Sequence, residues 1–295
     1  MALKSAPISV LMSVYYKETA PNLNASLASI MNQTLAPAEI VLVLDGPLTD
    51  ALEQIINRWK SDNAERLNII RLPLNQGLGA ALNVGLTYCQ NELVARMDSD
   101  DLAEPNRLEV QYQYLIANPN IDIVGAWIGE FEEDPLVISS TRRPPCDPLE
   151  VRKYAASRNP LNHPSVMFRR SAVERAGGYR DFLFFEDYYL WVRMILRGSS
   201  IANVPEVLLR FRTGTNFYKR RSGWKYLTME LAFQRKLLRI GFISPFTFFL
   251  NITSRLAFRV LPKPLVRMLY QSVLRTPIRS DRSIEPIVSQ SRTYD

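Results

Sequence analysis

Short apolar runs alternate with helical periodicity along the first hundred residues. The runs are continuous, as in strands buried on both faces, and lie at residues 8–14, 39–44, 67–72 and 93–97. Between them, apolar side chains recur every three or four positions at residues 22–34, 52–59 and 78–89. Because parallel strands need crossover helices, this alternation predicts a parallel sheet with helices on both faces.

The pattern becomes mixed after residue 101. Helical spacing is found at residues 105–117, 147–157, 185–197 and 224–240. Strand-like segments are found at residues 121–131, 136–141 and 163–169. The sequence therefore predicts an α/β domain whose second part is less regular than its first.

Three carboxylates, Asp98, Asp100 and Asp101, follow directly after the fourth predicted strand. Tyr15 and Asp45 follow the ends of two others, and ligands of such sheets bind beyond the carboxyl ends of the strands. Carboxylates this close repel one another unless a cation lies among them, and hard oxygen ligands select magnesium or manganese over zinc. The cluster predicts a divalent metal held against substrate phosphates, with a solvated acidic turn as the alternative.

A segment rich in glycine and alanine, at residues 75–85, opens the third predicted helix. Its spacing matches neither the dinucleotide fingerprint nor the P-loop. The small residues allow a ligand to approach the backbone closely, or they allow tight helix–sheet packing.

Glu186 and Asp187 lie among aromatic residues at the start of another predicted helix. Partial desolvation raises the pKa of a carboxyl group towards that of a useful general base, whereas the helix dipole alone also favours acidic residues there. The single histidine, His163, fits a structural role or a site role.

The charge of +7 is concentrated at the C-terminal end. Residues 1–206 hold 19 Lys/Arg against 25 Asp/Glu, and residues 207–295 hold 17 against 4. This asymmetry indicates an anionic partner, either nucleic acid or lipid. Beyond the predicted helix at 224–240, the longest uncharged stretch, 240–254, is shorter than the roughly 20 residues of a membrane span.

Aromatic and aliphatic residues alternate with arginines beyond residue 240, which predicts an interfacial amphipathic extension. Packing of these helices on the rest of the chain is the alternative. Cys89 and Cys146 show no metal-like spacing and are expected to be free thiols in a reducing compartment. The N-terminus shows no signal-peptide pattern, so we expect a cytoplasmic protein.

Taken in order, these segments resemble the family 2 inverting glycosyltransferases of the GT-A fold, in their bacterial exopolysaccharide and O-antigen form. The resemblance covers about residues 7–215. It rests on Ser13-Val14-Tyr15, residues 26–34, Glu39 to Gly46, residues 75–85, Asp98-Ser99-Asp100-Asp101 followed by Pro105 and Arg107, His163 to Val166, and Glu186-Asp187 with Trp191.

The resemblance implies a role for each matched residue. On the nucleotide-sugar side these are Tyr15 and Glu18 beside the nucleotide, Asp45 on the base, Arg71, Asn75, Gly77 and Gly79 along its edge, and Asp98 and Ser99 at the ribose. Asp98, Asp100 and Asp101 would hold Mn²⁺ or Mg²⁺. Asp187 would be the catalytic base with Glu186 in support, and His163 and Trp191 would contact the acceptor or the diphosphate.

The same resemblance implies an organisation and an activity. Residues 1–215 would form the catalytic domain, with a nucleotide-sugar half at 1–101 and an acceptor half at 102–215, and 216–295 a basic helical extension on the inner face of the cell membrane. The enzyme would transfer a sugar, with inversion, from a UDP-sugar to a polyprenyl-diphosphate-linked or lipopolysaccharide-type acceptor, and would not bind nucleic acid.

One departure concerns the base. Many relatives carry Asp-Asp-Gly-Ser after the second strand, whereas this chain has Leu44-Asp45-Gly46-Pro47. Uracil is the expected base, with guanine and thymine left open. A nucleotidyltransferase is the alternative enzyme, but the loop after the first strand lacks the glycines that it would need. A non-enzymatic membrane or nucleic-acid binder would leave both groups of carboxylates unexplained.

Overall fold

The computed structural model describes residues 5–214 and 223–260. Its strands are β1 (Ser5–Val14), β2 (Ala36–Leu44), β3 (Leu67–Arg71), β4 (Leu93–Asp98), β5 (Leu102–Ala103), β6 (Ile123–Phe131), β7 (Ser140–Arg142), β8 (Met167–Arg169) and β9 (Ile201–Arg212). Its helices are α1 (Ala20–Met31), α2 (Asp50–Asp62), α3 (Leu78–Tyr88), α4 (Arg107–Ala117), α5 (Pro148–Ala155), α6 (Arg170–Arg175), α7 (Glu186–Leu196), α8 (Gly223–Arg239) and α9 (Pro245–Val260).

Within these residues the strands form one sheet of order β3-β2-β1-β4-β8-β6-β9-β5, with β7 paired to β6. The first four strands are parallel, as their apolar runs predicted. Val14 pairs with Leu44, and Ser13 pairs with Asp98, so β1, β2 and β4 end at one edge of the sheet. The residues that follow these three strands, among them Tyr15, Asp45 and Ser99, therefore lie along the same edge.

The second half of the sheet is mixed. β8 runs antiparallel to β4 and β6, whereas β9 runs parallel to β6. The sequence pattern did not predict β9, and it predicted a single strand at 163–169 where His163–Ser165 forms a 3-10 turn and only β8 is extended. Pro164 lies within that turn, and it cannot donate a ladder hydrogen bond.

Helices begin where side chains cap them. The hydroxyl of Thr19 accepts the amide of Asn22 at α1, and Thr49 does the same for α2. α3 packs closely on the sheet, because a Cβ at Gly85 would lie 2.4 Å from Cδ1 of Leu11. The small residues of 75–85 therefore serve helix–sheet packing at their C-terminal end.

α8 packs against α7. Phe233 and Leu237 of α8 are buried with Phe185, Tyr188 and Tyr189 in one apolar cluster. The Phe233 and Phe185 rings are stacked at 4.9 Å. The first helix of the predicted extension thus shares an apolar core with α7.

α9 is held to α5 and α8 by polar contacts. The amide of Asn251 donates to the carbonyl of Ala156 and to Gln234, and Arg255 pairs with Glu230 at 2.6 Å. Within 5–214 and 223–260, none of the helices combines the length and the apolar character that a membrane crossing demands. The rest of the predicted amphipathic extension, 261–295, lies outside the described residues.

Candidate active site

The end of β4 places a buried arginine beneath the acidic cluster. Arg96 and Asp98 are two positions apart on a strand, so their side chains share one face. The two terminal nitrogens of the Arg96 guanidinium donate to the two carboxylate oxygens of Asp98, Nη1 to Oδ2 at 2.7 Å. Arg96 is fully buried, and Arg107 supports it from below by donating to its carbonyl oxygen at 2.6 Å. Burial and the charge of Arg96 lower the pKa of Arg107 to about 9.

Asp98, Asp100 and Asp101 each offer a ligand oxygen within 4.8 Å of the others. Burial, followed by the charges of Asp98 and Glu18, raises the pKa of Asp100 to about 7. Burial, followed by the charges of Asp100 and Asp98, raises the pKa of Asp101 as well. Without a cation, these carboxyl groups therefore hold protons more tightly than isolated aspartates do.

The cluster fits a divalent cation. Oδ1 of Asp101 accepts the amide of Arg212 at 2.8 Å, while its Oδ2 is buried without a hydrogen-bond partner among the described residues. Three carboxylates and one contacting guanidinium leave a formal charge of −2 when all are ionised. Asp98, Asp100 and Asp101 are the residues that could hold Mn²⁺ or Mg²⁺, since both prefer such oxygens.

Glu18 joins the cluster from the N-terminus of α1. Its Oε1 accepts the amide of Thr19 at 2.7 Å, and its Oε2 accepts the hydroxyl of Ser99 at 3.2 Å. Tyr15 lies on the same edge with its ring partly exposed and packed edge-on against Tyr16. The structure thus brings Tyr15, Glu18 and Ser99 beside the three aspartates.

Asp45 organises the loop before α3. Its carboxylate accepts the amides of Gln76 at 2.7 Å and Gly77 at 3.0 Å, and its carbonyl accepts the side chain of Asn75 at 3.2 Å. Gly46 has φ of 87°, and a Cβ there would lie 2.6 Å from the amide nitrogen of Asn75. The close approach requires glycine at 46 and fixes residues 75–77 against the end of β2.

Arg71 lies apart from these contacts. Its guanidinium makes two hydrogen bonds to the carboxylate of Glu53 on α2, at 2.7 and 2.8 Å. Its side chain is 54% exposed. The structure therefore places Arg71 in a surface ion pair at the end of β3.

Glu186 and Asp187 occupy the first turn of α7. Burial and the charge of Asp187 raise the pKa of Glu186. Oδ2 of Asp187 accepts the side-chain amide of Asn159 at 2.7 Å, and its Oδ1 accepts the amide of Tyr188 at 2.7 Å. The preceding Phe184 has φ of 72°, a conformation that costs a non-glycine residue energy and is often found beside functional residues.

His163 is held by two aromatic residues, Tyr179 and Trp191. Its Nε2 is 2.9 Å from the hydroxyl of Tyr179, and its ring packs edge-on against the fully buried Trp191. Burial and the charge of Arg96 lower the pKa of His163 well below its usual value, so the ring is neutral. Tyr179 is fixed in turn by Asn83 of α3, whose side chain bonds both its amide and its carbonyl.

The start of α3 adjoins the turn that carries Glu186 and Asp187. A Cβ at Gly79 would lie 3.4 Å from Cβ of Tyr179 and 3.9 Å from Cβ of Glu186. The first turn of α3 therefore touches the first turn of α7, and Arg96 acts electrostatically on Glu186 as well as on Asp98. These contacts link most of the predicted site residues, whereas Arg71 pairs with Glu53 of α2, and Tyr15 contacts Tyr16 and Glu18.

Sequence reasoning missed several residues that hold the site. Arg96 could have been found, because a charge inside a buried strand needs a partner and the alternation points to Asp98. Asn159, Tyr179 and Arg212 meet the site from distant parts of the chain and carry no local signal.

Comparison with known proteins identifies the family. The model of glycosyl transferase family 2 matches residues 9–177. The chain is 39% identical to the amylovoran biosynthesis glycosyltransferase AmsE of Erwinia amylovora, over 89% of this chain and 97% of that one. It is 36% identical to the UDP-Gal:alpha-D-GlcNAc-diphosphoundecaprenol beta-1,3-galactosyltransferase of Escherichia coli, over 90% and 96% respectively.

The fold also has solved counterparts. The chain is similar to the mannosyltransferase PcManGT from Pyrobaculum calidifontis in complex with GDP-Man and Mn²⁺, with a TM-score of 0.62 and 19% identity. The likeness covers 90% of this chain and 79% of that one. It confirms the predicted GT-A fold, a sheet flanked by helices. The chain belongs to glycosyl transferase family 2, among the bacterial exopolysaccharide and O-antigen glycosyltransferases.

Proposed function

We propose that this glycosyltransferase moves a sugar, with inversion, from a UDP-sugar to a hydroxyl group of a lipid-linked saccharide acceptor in surface polysaccharide synthesis. One observation carries the proposal. Two groups of carboxylates, Asp98–Asp101 and Glu186-Asp187, both act electrostatically on Tyr179 but have different surroundings. Inverting transfer needs two such groups, because the leaving diphosphate must be stabilised while a separate base accepts a proton.

The first group serves the donor. Asp98, Asp100 and Asp101 would hold Mn²⁺ or Mg²⁺, which when bound supplies positive charge to the departing diphosphate. Tyr15, Glu18 and Ser99 border the ribose and nucleotide. This arrangement is supported by the orphan Oδ2 of Asp101 and by the contact of Glu18 with Ser99.

The nucleotide edge is formed by residues 75–79. Asp45 shapes this edge by holding the amides of Gln76 and Gly77, and it lies where the base would contact the end of β2. Asn75, Gly77 and Gly79 present backbone to the nucleotide. Arg71 would reach it by exchanging its exposed pairing with Glu53 for the ligand.

The second group serves the acceptor. Asp187 takes the proton of the attacking hydroxyl as the oxygen bonds to the anomeric carbon, and the bond to the diphosphate breaks. Glu186 supports it from the neighbouring position. His163, neutral and able to share a hydrogen bond, would face the space between Asp187 and the donor, and the fully buried Trp191 would hold the His163 ring by packing against it.

The relatives support the substrate classes. The Escherichia coli relative is named for UDP-galactose as donor and for a GlcNAc-diphosphoundecaprenol acceptor. The same classes suit this chain, because it matches that protein over 90% of its length.

The basic extension would keep the enzyme at an anionic membrane, on its cytoplasmic face. Phe246 and Phe249 of α9 are 71% and 62% exposed, and Leu250 and Leu256 are exposed along the same helix face. Trp224 at the start of α8 is also exposed. Apolar side chains on a strongly basic segment are typical of helices that lie in the membrane interface.

The test is a transfer assay with Asp187→Asn. UDP-galactose, UDP-glucose and UDP-N-acetylglucosamine are offered with Mn²⁺ and a synthetic GlcNAc-diphosphate-lipid. We expect Asp187→Asn to lower kcat by about 10³-fold or more, since a general base is removed, while UDP–Mn²⁺ affinity stays near that of the wild type. Asp62→Asn, at the exposed C-terminal end of α2, is the matched control and should retain activity. Turnover retained by Asp187→Asn would exclude Asp187 as the base.

A further inference from the structure

We propose that Asn159 is a positioning residue that holds Asp187 in the orientation and charge state of a base. Asn159 lies between α5 and the 3-10 turn, far from α7 along the chain. The inference rests on the proposed function, since it assigns a partner to the base of that reaction.

The contacts fix the carboxylate at both ends. The side-chain amide of Asn159 donates to Oδ2 of Asp187 at 2.7 Å, and the amide of Tyr188 donates to Oδ1 at 2.7 Å. One donor on each oxygen prevents the carboxylate from rotating about its Cβ–Cγ bond. A base must lie within hydrogen-bond reach of the proton that it takes, so the fixed orientation bears directly on the rate.

The orientation of Asn159 is itself determined by its neighbours. Its Oδ1 accepts the amide of Leu161 at 3.3 Å, which leaves the NH₂ group facing Asp187. Its carbonyl accepts a guanidinium nitrogen of Arg142 at 2.5 Å, and the same arginine donates to the carbonyl of Leu161 at 2.9 Å. Arg142 of β7 thus holds the loop of residues 159–161 in place, and this loop orients the side-chain amide of Asn159 towards Asp187.

The hydrogen bond from Asn159 also counteracts the repulsion between Glu186 and Asp187. The titratable groups that interact with Asp187 include Glu186, Tyr188 and Tyr179. The charge of Glu186 disfavours a second negative charge beside it, whereas a donor to the carboxylate favours the ionised form. Arg96 acts on Glu186 and Tyr179 from the donor side. Asn159 therefore offsets Glu186 and keeps Asp187 ready to accept a proton.

A purely structural role for Asn159 gives a different expectation. If the residue only closes the loop through Leu161, its replacement lowers stability and leaves the pH dependence of transfer unchanged. If it acts on Asp187, the acidic limb of the pH profile moves. The chain offers an isosteric variant that separates the two, because Asn159→Asp keeps an acceptor for the amide of Leu161 while it removes the donor to Asp187.

The experiment measures kcat and kcat/KM against pH in the transfer assay, with the full chain. For Asn159→Ala we expect kcat at neutral pH to fall about 10- to 100-fold and the acidic limb to rise by about one pH unit. For Asn159→Asp we expect a larger rise, because a second negative charge faces the base. The affinity for UDP–Mn²⁺ should not change in either variant. Asn118→Ala, whose amide donates to the carbonyl of Tyr114 at the end of α4, is the matched control.

The outcomes are distinct. A lower kcat with an unmoved acidic limb in both variants would show that Asn159 only supports the loop, and a profile like the wild type would show that it has no role. Either result overturns this inference while the loss of turnover in Asp187→Asn still stands. If Asp187→Asn itself remains active, the proposed base is wrong, and that result is obtained without any variant of Asn159.

Discussion

The two groups of carboxylates in the site use the same residue types in opposite surroundings. In the cluster at the end of β4, three aspartates face one another within 4.8 Å, and one buried oxygen of Asp101 has no partner among the described residues. In the first turn of α7, Asp187 receives a hydrogen bond on each oxygen. The first arrangement offers oxygens that a cation could join, whereas in the second the protein itself supplies a donor to each oxygen.

The difference teaches how environment divides the work between similar side chains. Mutual repulsion and burial make the ionised form of the cluster unfavourable until positive charge arrives. Donors at Asp187 favour the ionised form without a metal. We infer that the cluster binds the charged donor and that α7 handles the proton.

The two regions are also supported differently. The cluster lies at the end of the parallel sheet, with Arg96 and Arg107 buried beneath it. The turn that carries Asp187 is held from outside by α8, through Phe233 and Phe185. Damage to the C-terminal helices should therefore affect the base before it affects the metal site.

The largest effect is expected from Asp100→Ala, which breaks the cluster. The variant loses a ligand and should lower transfer by about 10⁴-fold, or about 5 kcal/mol, because the diphosphate is no longer neutralised. Thermal unfolding measures the same loss. Mn²⁺ with UDP should raise the Tm of the wild type and should leave that of the variant unchanged.

Glu133→Ala serves as the control for Asp100→Ala, because it removes one acidic charge from an exposed position. It should respond to Mn²⁺ as the wild type does. If Asp100→Ala binds UDP with the same dependence on Mn²⁺ as the wild type, the cluster does not hold the metal. In the absence of metal, Asp100→Ala should unfold at a Tm no lower than that of the wild type, because the substitution relieves the repulsion among the three carboxylates.

The next largest effect is expected from Phe233→Ala, which tests the support of the base. Phe233 is fully buried and packs on Phe182, Phe185 and Tyr188. Its removal should lower the free energy of unfolding by about 3–4 kcal/mol in a denaturant titration. Below the Tm, transfer should fall while UDP–Mn²⁺ binding persists, because the cluster does not depend on α8.

Phe249→Ala is the control for Phe233→Ala, since the same ring is removed from an exposed site on α9. The free energy of unfolding should change by less than about 0.5 kcal/mol. Equal loss of donor binding and transfer in Phe233→Ala would mean that the two regions share one support, contrary to the comparison.

The cluster was easier to predict from the sequence than the base's surroundings. Asp98 follows a continuous apolar strand, and parallel strands bring their carboxyl ends together, so local pattern and topology agree. β9 and α6 were missed, and Pro164 made a turn within a predicted strand. Elements of the mixed half depend on pairing with distant partners, which periodicity does not report.

Contacts between residues far apart in the sequence could not be predicted from local sequence patterns. Asn159 reaches Asp187 across 28 positions, and Arg212 reaches Asp101 across 111. For the C-terminal helices, the sequence pattern predicts membrane contact, with packing on the rest of the chain as the alternative. The structure shows that α8 packs inward while α9 presents aromatic side chains outward, so one extension can carry both roles.

The smallest effect is expected at the outer face of α9, where Phe246→Ser with Phe249→Ser tests the membrane proposal. The full-length double variant should bind vesicles containing about 30% phosphatidylglycerol roughly tenfold more weakly, because two exposed rings no longer enter the interface. Its Tm and its UDP–Mn²⁺ affinity should match the wild type, since neither ring is buried. Co-sedimentation with vesicles measures the difference.

Leu136→Ser with Val137→Ser is the matched control for that variant. Both residues are more than 60% exposed between β6 and β7, so the change removes similar apolar surface from a different face of the molecule. Vesicle binding that survives in the α9 variant, or that falls equally in the control, would assign the attraction to charge or to general hydrophobicity. A loss confined to the α9 variant would show that the outer face of the extension binds the lipid. The extension would then have two separate roles, because its inner face packs on α7.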